Sequence, residues 1–383
     1  PGVPEDRILV VIQLSGGNDG LNTIVPYGHD AYYQVRPLLA ITKDDVLKVD
    51  QRNGLGLHPE MRDFNRMIDD GLASVVHGVG YPNPNRSHFA SMDVWHTGDT
   101  LGKGAGWIGR AMDEITAGAA VQDGTACICT GREAPLAAQG HRYKPVAFES
   151  PNVFRWSGQD LHPQLAVEYD RINRAGVVGE RSGDDANDQL AFIMRTSLDA
   201  QLASDRIRAA VAQGPTTGFP SGQFARQLQM VAAMIRANLS TRVYYVGLGG
   251  FDTHAGQRGR HANLLRQFSK GIRAFYDELK AIGAQKRVLA MAFSEFGRRV
   301  HQNASQGTDH GTAGPVFLAG PMIQPGFLGT HPSLSRFDQG DLIYNTDFRC
   351  IYAAILDQWL KIDSTKVLMR RFQPASILNR SVV

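Results

Sequence analysis

The sequence predicts an α/β protein with a largely parallel sheet, because apolar runs of strand length alternate with stretches of helical period and several runs end in polar, glycine-rich turns. The strand runs are Ile8 to Leu14, Ala73 to Val76, Ala126 to Cys129, Val243 to Leu248, Val288 to Phe293 and Pro315 to Ala319. Helical periodicity covers Glu60 to Ile68, Ser87 to Trp95, Gln189 to Val211, Gly222 to Asn238, His261 to Ile282 and Asp347 to Lys361. The last of these opens after Asn345, Thr346 and Asp347, all residues that cap helix N-termini. The stretch 148–222, from Phe148 to Gly222, has no clear strand and breaks the alternation, so it is expected to be a helical insertion over the sheet of one domain spanning 1–383.

Composition narrows the function classes. A chain of 383 residues with 43% hydrophobic content buries a core large enough to need neither disulfide nor metal for folding. Lys and Arg total 40 against 37 for Asp and Glu, with no basic run, so no nucleic-acid footprint is expected. No apolar run approaches the length of a transmembrane segment. Cys127, Cys129 and Cys350 are too few for a disulfide scaffold and are expected as free thiols. The chain opens at Pro1 without an initiator Met, shortly before the first strand, which fits a removed export signal.

In open parallel sheets, ligands collect where strands end at the carboxyl edge. The first strand runs into Ser15-Gly16-Gly17-Asn18-Asp19-Gly20, where glycines would let backbone amides approach an anion. The spacing is neither a dinucleotide fingerprint nor a Walker loop. The second strand leads through Asn85 and Arg86 to Ser87 and His88, which open a helix. A hydroxyl there sits in a field suited to a nucleophile, or simply caps the helix. After Val243 to Leu248 come Asp252 and His254, a pair that suits a metal or a general base with its orienting partner. Ser294, Glu295 and Arg298 follow the next strand, and Asp309 and His310 precede Pro315 to Ala319. Acids and histidines repeated at successive strand ends argue for one shared site, against the alternative of structural ion pairs. The remaining histidines, His58 and His77 among them, are expected to be packed or surface residues.

On these motifs the chain resembles a bacterial family of unknown function, domain-of-unknown-function family fifteen-oh-one, whose members are often described as twin-arginine-pathway signal proteins. The resemblance covers nearly the whole sequence and is carried by Leu14 to Asn22, Gly80 to Gly98, Gly249 to His254, Ser294 to Arg298 and Gly307 to Gly320. That family is similar to the alkaline phosphatase and sulfatase superfamily. The similarity implies an alkaline phosphatase-like fold, a mainly parallel sheet between helical layers, with two divalent metals beside a Ser, Thr or modified Cys nucleophile. Ser87 looks like the nucleophile, Asp252 like the Asp opening one metal site, Glu295 like the Asp of an Asp-His-Gly motif, and His310 like the final His. Three positions depart from the pattern: Ser15 stands for the first-strand Asp, Gly256 for a His, and Phe296 for the His after Glu295. A single altered metal site, or none, follows from those departures.

The resulting expectation is a metal-dependent hydrolase of phosphate or sulfate esters acting on a small-molecule or glycan ester. Ser87, His88 and Arg298 would be catalytic; Asp19, Asp252, His254, Glu295, Asp309 and His310 would hold or surround zinc, manganese or calcium. The alternative is a degenerate superfamily member that binds or assembles at the cell envelope, with Trp95, Trp107 and Trp156 either stacking on glycans or packing in the core. The family's usual signal implies export to the periplasm or envelope. Oligomeric state is not encoded in any of these features.

Overall fold

The computed structural model describes residues 6–117, 124–151, 161–178, 194 and 201–379. Among the described residues nine strands form one sheet: β1 (Ile8–Ser15), β2 (Ala73–Gly80), β3 (Cys127–Cys129), β4 (Val146–Ala147), β5 (Val243–Gly249), β6 (Val288–Phe293), β7 (Gly314–Ala319), β8 (Gly326–Leu328) and β9 (Thr346–Asp347). The spatial order is β8-β2-β7-β6-β1-β5-β3-β4, with β9 also beside β2. β7 runs antiparallel to both β6 and β2, and every other pairing is parallel. The predicted α/β class with a mainly parallel sheet is therefore the observed one.

The strands read as near-continuous apolar runs because both faces are covered. Along β1, Leu9 and Val11 enter one core while Ile8, Val10, Ile12 and Leu14 enter the other, the two-residue alternation of a strand. One core is closed by helices α2 (His88–Thr97), α3 (Trp107–Ile115) and α6 (Phe348–Ala354), the last continuing as a π-helix over Ile355–Leu360. The other is closed by α1 (Arg62–Asp69), α4 (Gln223–Arg236) and α5 (Gln257–Ala281). Asp347 caps α6 by accepting the Arg349 N–H, as its position predicts.

Several local features were not in the sequence pattern. β2 continues four residues beyond Val76, because His77 and Gly78 interrupt the apolar run without ending the strand. A small three-stranded sheet of Ile24–Val25, Leu47–Asp50 and Leu55–Leu57 is too short-stranded to show periodicity. In the expected insertion, Pro163–Val178 is helical and residues 201–211 are helical. Most of Gln189 to Val211, the cluster Asp184 to Asp188, and Trp156 lie wholly or partly outside the described residues. Cys127 and Cys129 are buried free thiols, and Cys350 is a half-buried one. No described helix is long and apolar enough to cross a membrane.

The topology explains how the site is assembled. Parallel β1, β2, β5 and β6 all deliver their carboxyl ends to one edge, and the single inverted strand β7 begins at that same edge. The loops after β1, β2 and β5 and the single connection between β6 and β7 thus converge at one edge. Gly16 makes the convergence tight: its φ is +119°, and a Cβ there would run into the Asp252 amide and the Phe251 backbone. Gly16→Ala is expected to cost about 1–3 kcal/mol, the usual penalty of overpacking, measured as a lower urea midpoint at unchanged slope.

Candidate metal centre

His88 opens α2 and sends its ring into the edge cluster. Its Nδ1 lies 2.7 Å from Glu295 Oε1, an oxygen that also accepts the Gly16 N–H at 2.8 Å. Glu295 is 2% exposed. The carboxylate accepts only, so Nδ1 carries the proton and the lone pair is on Nε2. That Nε2 is buried, lacks a hydrogen-bond partner among the described residues, and lies 3.5 Å from Asp252 Oδ1.

The same logic fixes two further rings. His310 Nδ1 is 2.8 Å from the Arg86 carbonyl, an obligate acceptor, leaving its Nε2 lone pair 3.2 Å from Asp252 Oδ1. His254 Nδ1 is 3.1 Å from Asp309 Oδ1, leaving its Nε2 3.0 Å from Asp252 Oδ1 and 2.9 Å from His310 Nε2. Three imidazole lone pairs therefore converge on one carboxylate oxygen. His88, Asp252 and His310 have ligand atoms all within 4.8 Å of one another. Acceptors at such separations repel unless a cation or protons stand among them.

Electrostatics keep the carboxylates charged. Partial burial pushes the Asp252 carboxyl up, but the hydrogen bond and charge of Arg298, with His310 and His254, bring it down to about 2. The His254 hydrogen bond, joined by Asn303, lowers Asp309. Burial, opposed by the Arg86 carbonyl and Asp252, lowers His310, which favours the neutral ring.

Several expected roles need correction. Arg298 was expected to bind an anionic oxygen, yet its side chain has no exposure and its donors are taken. Nε donates to Gly17 O at 2.8 Å and NH1 to Thr308 O at 2.8 Å; NH2 meets Gly16 O, Phe251 O and Asp252 Oδ1. Asp19 was expected near metal, but it is fully buried in a two-pronged pair with Arg36 at 2.6 and 3.1 Å and also accepts from Gln257. Glu295 and Asp309 touch imidazole Nδ1 atoms rather than the lone-pair cluster, so they orient ligands. The glycine loop is no free anion cradle either: the Gly16 amide serves Glu295 and the Asn18 amide serves Ser294 at 3.0 Å. Trp95 and Trp107 are 3% and 1% exposed, core residues rather than stacking surfaces.

Ser87 is exposed at the N-terminus of α2 and makes no side-chain cap hydrogen bond. Its amide is bound instead by Asn85 Oδ1 at 2.8 Å. The capping alternative is thereby removed. Sequence reasoning missed two contributors, the Arg86 carbonyl and Asn303, whose amide donates to Asp309 Oδ1 at 3.1 Å. The Phe296 ring packs 4.9 Å from the His88 and the His310 rings, covering them with hydrocarbon. A backbone acceptor leaves no residue-type signal, and Asn303 reads as an ordinary loop residue.

The family model described as "Protein of unknown function (DUF1501)" matches residues 6–373. The chain belongs to the DUF1501 family. No curated protein matches the sequence. Among solved structures the chain is similar to Ps i-CgsB, at 8% identity and a TM-score of 0.37, covering 96% of this chain and 73% of that one. It is also similar to Ps i-CgsB in complex with k-i-k-neocarrahexaose, at 11% and 0.33, with coverages of 86% and 69%. A TAB5 alkaline phosphatase mutant with Mg bound aligns at 10% and 0.33, with coverages of 85% and 94%. Likenesses this distant describe neither the site nor the activity of the DUF1501 chain.

Histidines outside the cluster yield a pH prediction. Burial, against only partial help from neighbours, lowers His58, His96 and His331 to about 4 and His77 and His261 to about 3, from 6.5. The unfolded chain therefore binds more protons than the folded one between about pH 6.5 and pH 3, and stability falls as pH drops through that window. Thermal unfolding midpoints should decline steadily on acidification below about pH 6.5; a flat profile down to pH 4 would show that these rings are not buried neutral.

Proposed function

We propose that this protein is a metal-dependent hydrolase of phosphate or sulfate esters. The observation that carries the reading is the convergence of the His88, His254 and His310 Nε2 atoms on Asp252 Oδ1, with separations of 2.9–3.5 Å. Ligand atoms about 2.0–2.1 Å from a tetrahedral ion stand about 3.3 Å apart, so the spacing suits such an ion. A nitrogen-rich set favours zinc and argues against calcium and manganese, which prefer oxygen ligands.

When bound, a divalent ion supplies positive charge that draws in an anionic ester and favours ionisation of a nearby hydroxyl. The chain's own groups prepare the site. Glu295, Asp309 and the Arg86 carbonyl hold the three rings with their lone pairs inward. Phe296 excludes water from one side of His88 and His310. Ser87, with its hydroxyl free of capping duty and one residue from His88, is the proposed nucleophile. Arg298 contributes by holding Asp252 rather than by touching substrate.

A second reading, a degenerate envelope-binding protein, is favoured by one observation. Among the described residues one cluster fits a metal, whereas the superfamily pattern has two. Export to the periplasm or envelope belongs to both readings, and fractionation of cells expressing the gene tests it.

Dialysis against zinc should leave about one equivalent bound, lost in Asp252→Ala and His310→Ala and weakened about 10–100-fold in Glu295→Gln, as read by elemental analysis and competition with a chelator. Binding below about a tenth of an equivalent in the parent removes the metal centre. Ser87→Ala should abolish turnover of an aryl phosphate or sulfate while changing stability by less than about 0.5 kcal/mol, the range of surface substitutions. Full activity in that variant would exclude Ser87 as nucleophile.

A further inference from the structure

A second cleft, with a volume of about 940 Å³, is not involved in the chemistry above. It lies on the flank of β2, between the turn at Tyr27 to Ala31, the hairpin at Asp50 to Leu55, and the segment Phe327 to Ser335. Clefts of about 300–1,000 Å³ take small-molecule ligands.

The strand is deformed at this place. β2 pairs with β7 at Val76↔Val316 and Val79↔Gly314, so three steps along one strand match two along the other. The extra residue is accommodated at His77 and Gly78, where Gly78 has φ +56° and a Cβ would press on Pro332 and Asn345. Such a bulge re-aims side chains, and here it places His77 in the wall of the cleft. His77 is 3% exposed, and its Nε2 has no hydrogen-bond partner among the described residues. An unpaired buried imidazole is costly, and a valine would fill the space without that cost.

The surrounding chemistry selects the ligand. The His77 ring stands 5.5 Å from that of His331 and 4.8 Å from that of Phe327. His331 Nδ1 lies 2.9 Å from the Pro332 carbonyl and His29 Nε2 lies 3.1 Å from the Asn53 carbonyl, so each ring keeps a lone pair on its other nitrogen. Asp50 adds a carboxylate, offset by the Arg52 guanidinium at the exposed rim. With burial holding His77 and His331 neutral and Asp50 set against Arg52, the inner wall of the cleft offers no positive field for phosphate or sulfate. It offers hydrogen-bond acceptors to hydroxyl groups, and its lining includes the Tyr27 and Phe327 rings for contact with C–H groups.

We propose that this cleft binds a neutral saccharide, independently of the metal centre. The test is a titration of the whole chain with cellobiose, maltose and chitobiose at millimolar concentration, read by saturation-transfer NMR and by the histidine imidazole resonances. At least one sugar should saturate, shifting His77 and His331, and His331→Ala or Asp50→Asn should weaken binding about tenfold, the loss of one or two hydrogen bonds. Binding should survive chelator treatment and Asp252→Ala, which separates this site from the hydrolase reading. Because His77→Gln risks the bulge itself, the two rim variants decide the matter. No transfer from any of the three sugars, binding undiminished in both rim variants, or shifts produced by inorganic phosphate instead would overturn the proposal.

Discussion

The strand-end loops are held together by one buried guanidinium. Arg298 reaches the carbonyls of Gly16, Gly17, Phe251 and Thr308 and the carboxylate of Asp252, tying the loops after β1 and β5 to both ends of its own connection between β6 and β7. Each of those carbonyls would otherwise be a buried acceptor in need of a partner. A buried charge is costly alone, so the arrangement is stable only with every acceptor in place. The position of Asp252 is therefore a consequence of the whole edge rather than of its own turn.

From that anchor the ligand geometry follows in layers. Glu295 accepts from the β1 loop and from α2 at once, so the first-strand glycines and His88 are set by the same carboxylate. Asp19, moved away from the cluster, neutralises Arg36, whose other donors hold the Val300 and Arg299 carbonyls. The loop following Arg298 is thus secured from two sides by cations that never meet solvent. Charged residues here act as joints of the backbone, and the imidazole Nε2 atoms are left facing Asp252.

What the sequence made legible was the location of the site, because strand-length apolar runs followed by His, Asp and Glu depend only on local pattern. Asp252, His254 and His310 stood out for that reason. The roles of Glu295, Asp309 and Arg298 were not legible: each is fixed by partners distant in the chain, such as Gly16 for Glu295 and Phe251 for Arg298, and residue type alone does not separate a ligand from its support. His88 was recognised at its helix end, but its lone pair became a ligand only once Glu295 was seen to hold the other nitrogen. The bulge at His77 and Gly78 was not legible, since a polar residue beside glycine in an apolar run carries no sign of an extra residue in the pairing.

The inverted strand β7 divides the centre by chain distance. Arg298, Asp309 and His310 belong to one short connection between β6 and β7, which closes at small entropic cost. His88 meets Glu295 across 207 positions of sequence, and that meeting requires β2 to be seated beside β7. During folding the nearer half can form as a hairpin, whereas the cluster is complete only after the long-range pairing of β2 with β7. An ion held by His88, Asp252 and His310 would thus act as a clasp on the entire sheet, raising the stability of the native state as a whole by mass action rather than stiffening one loop.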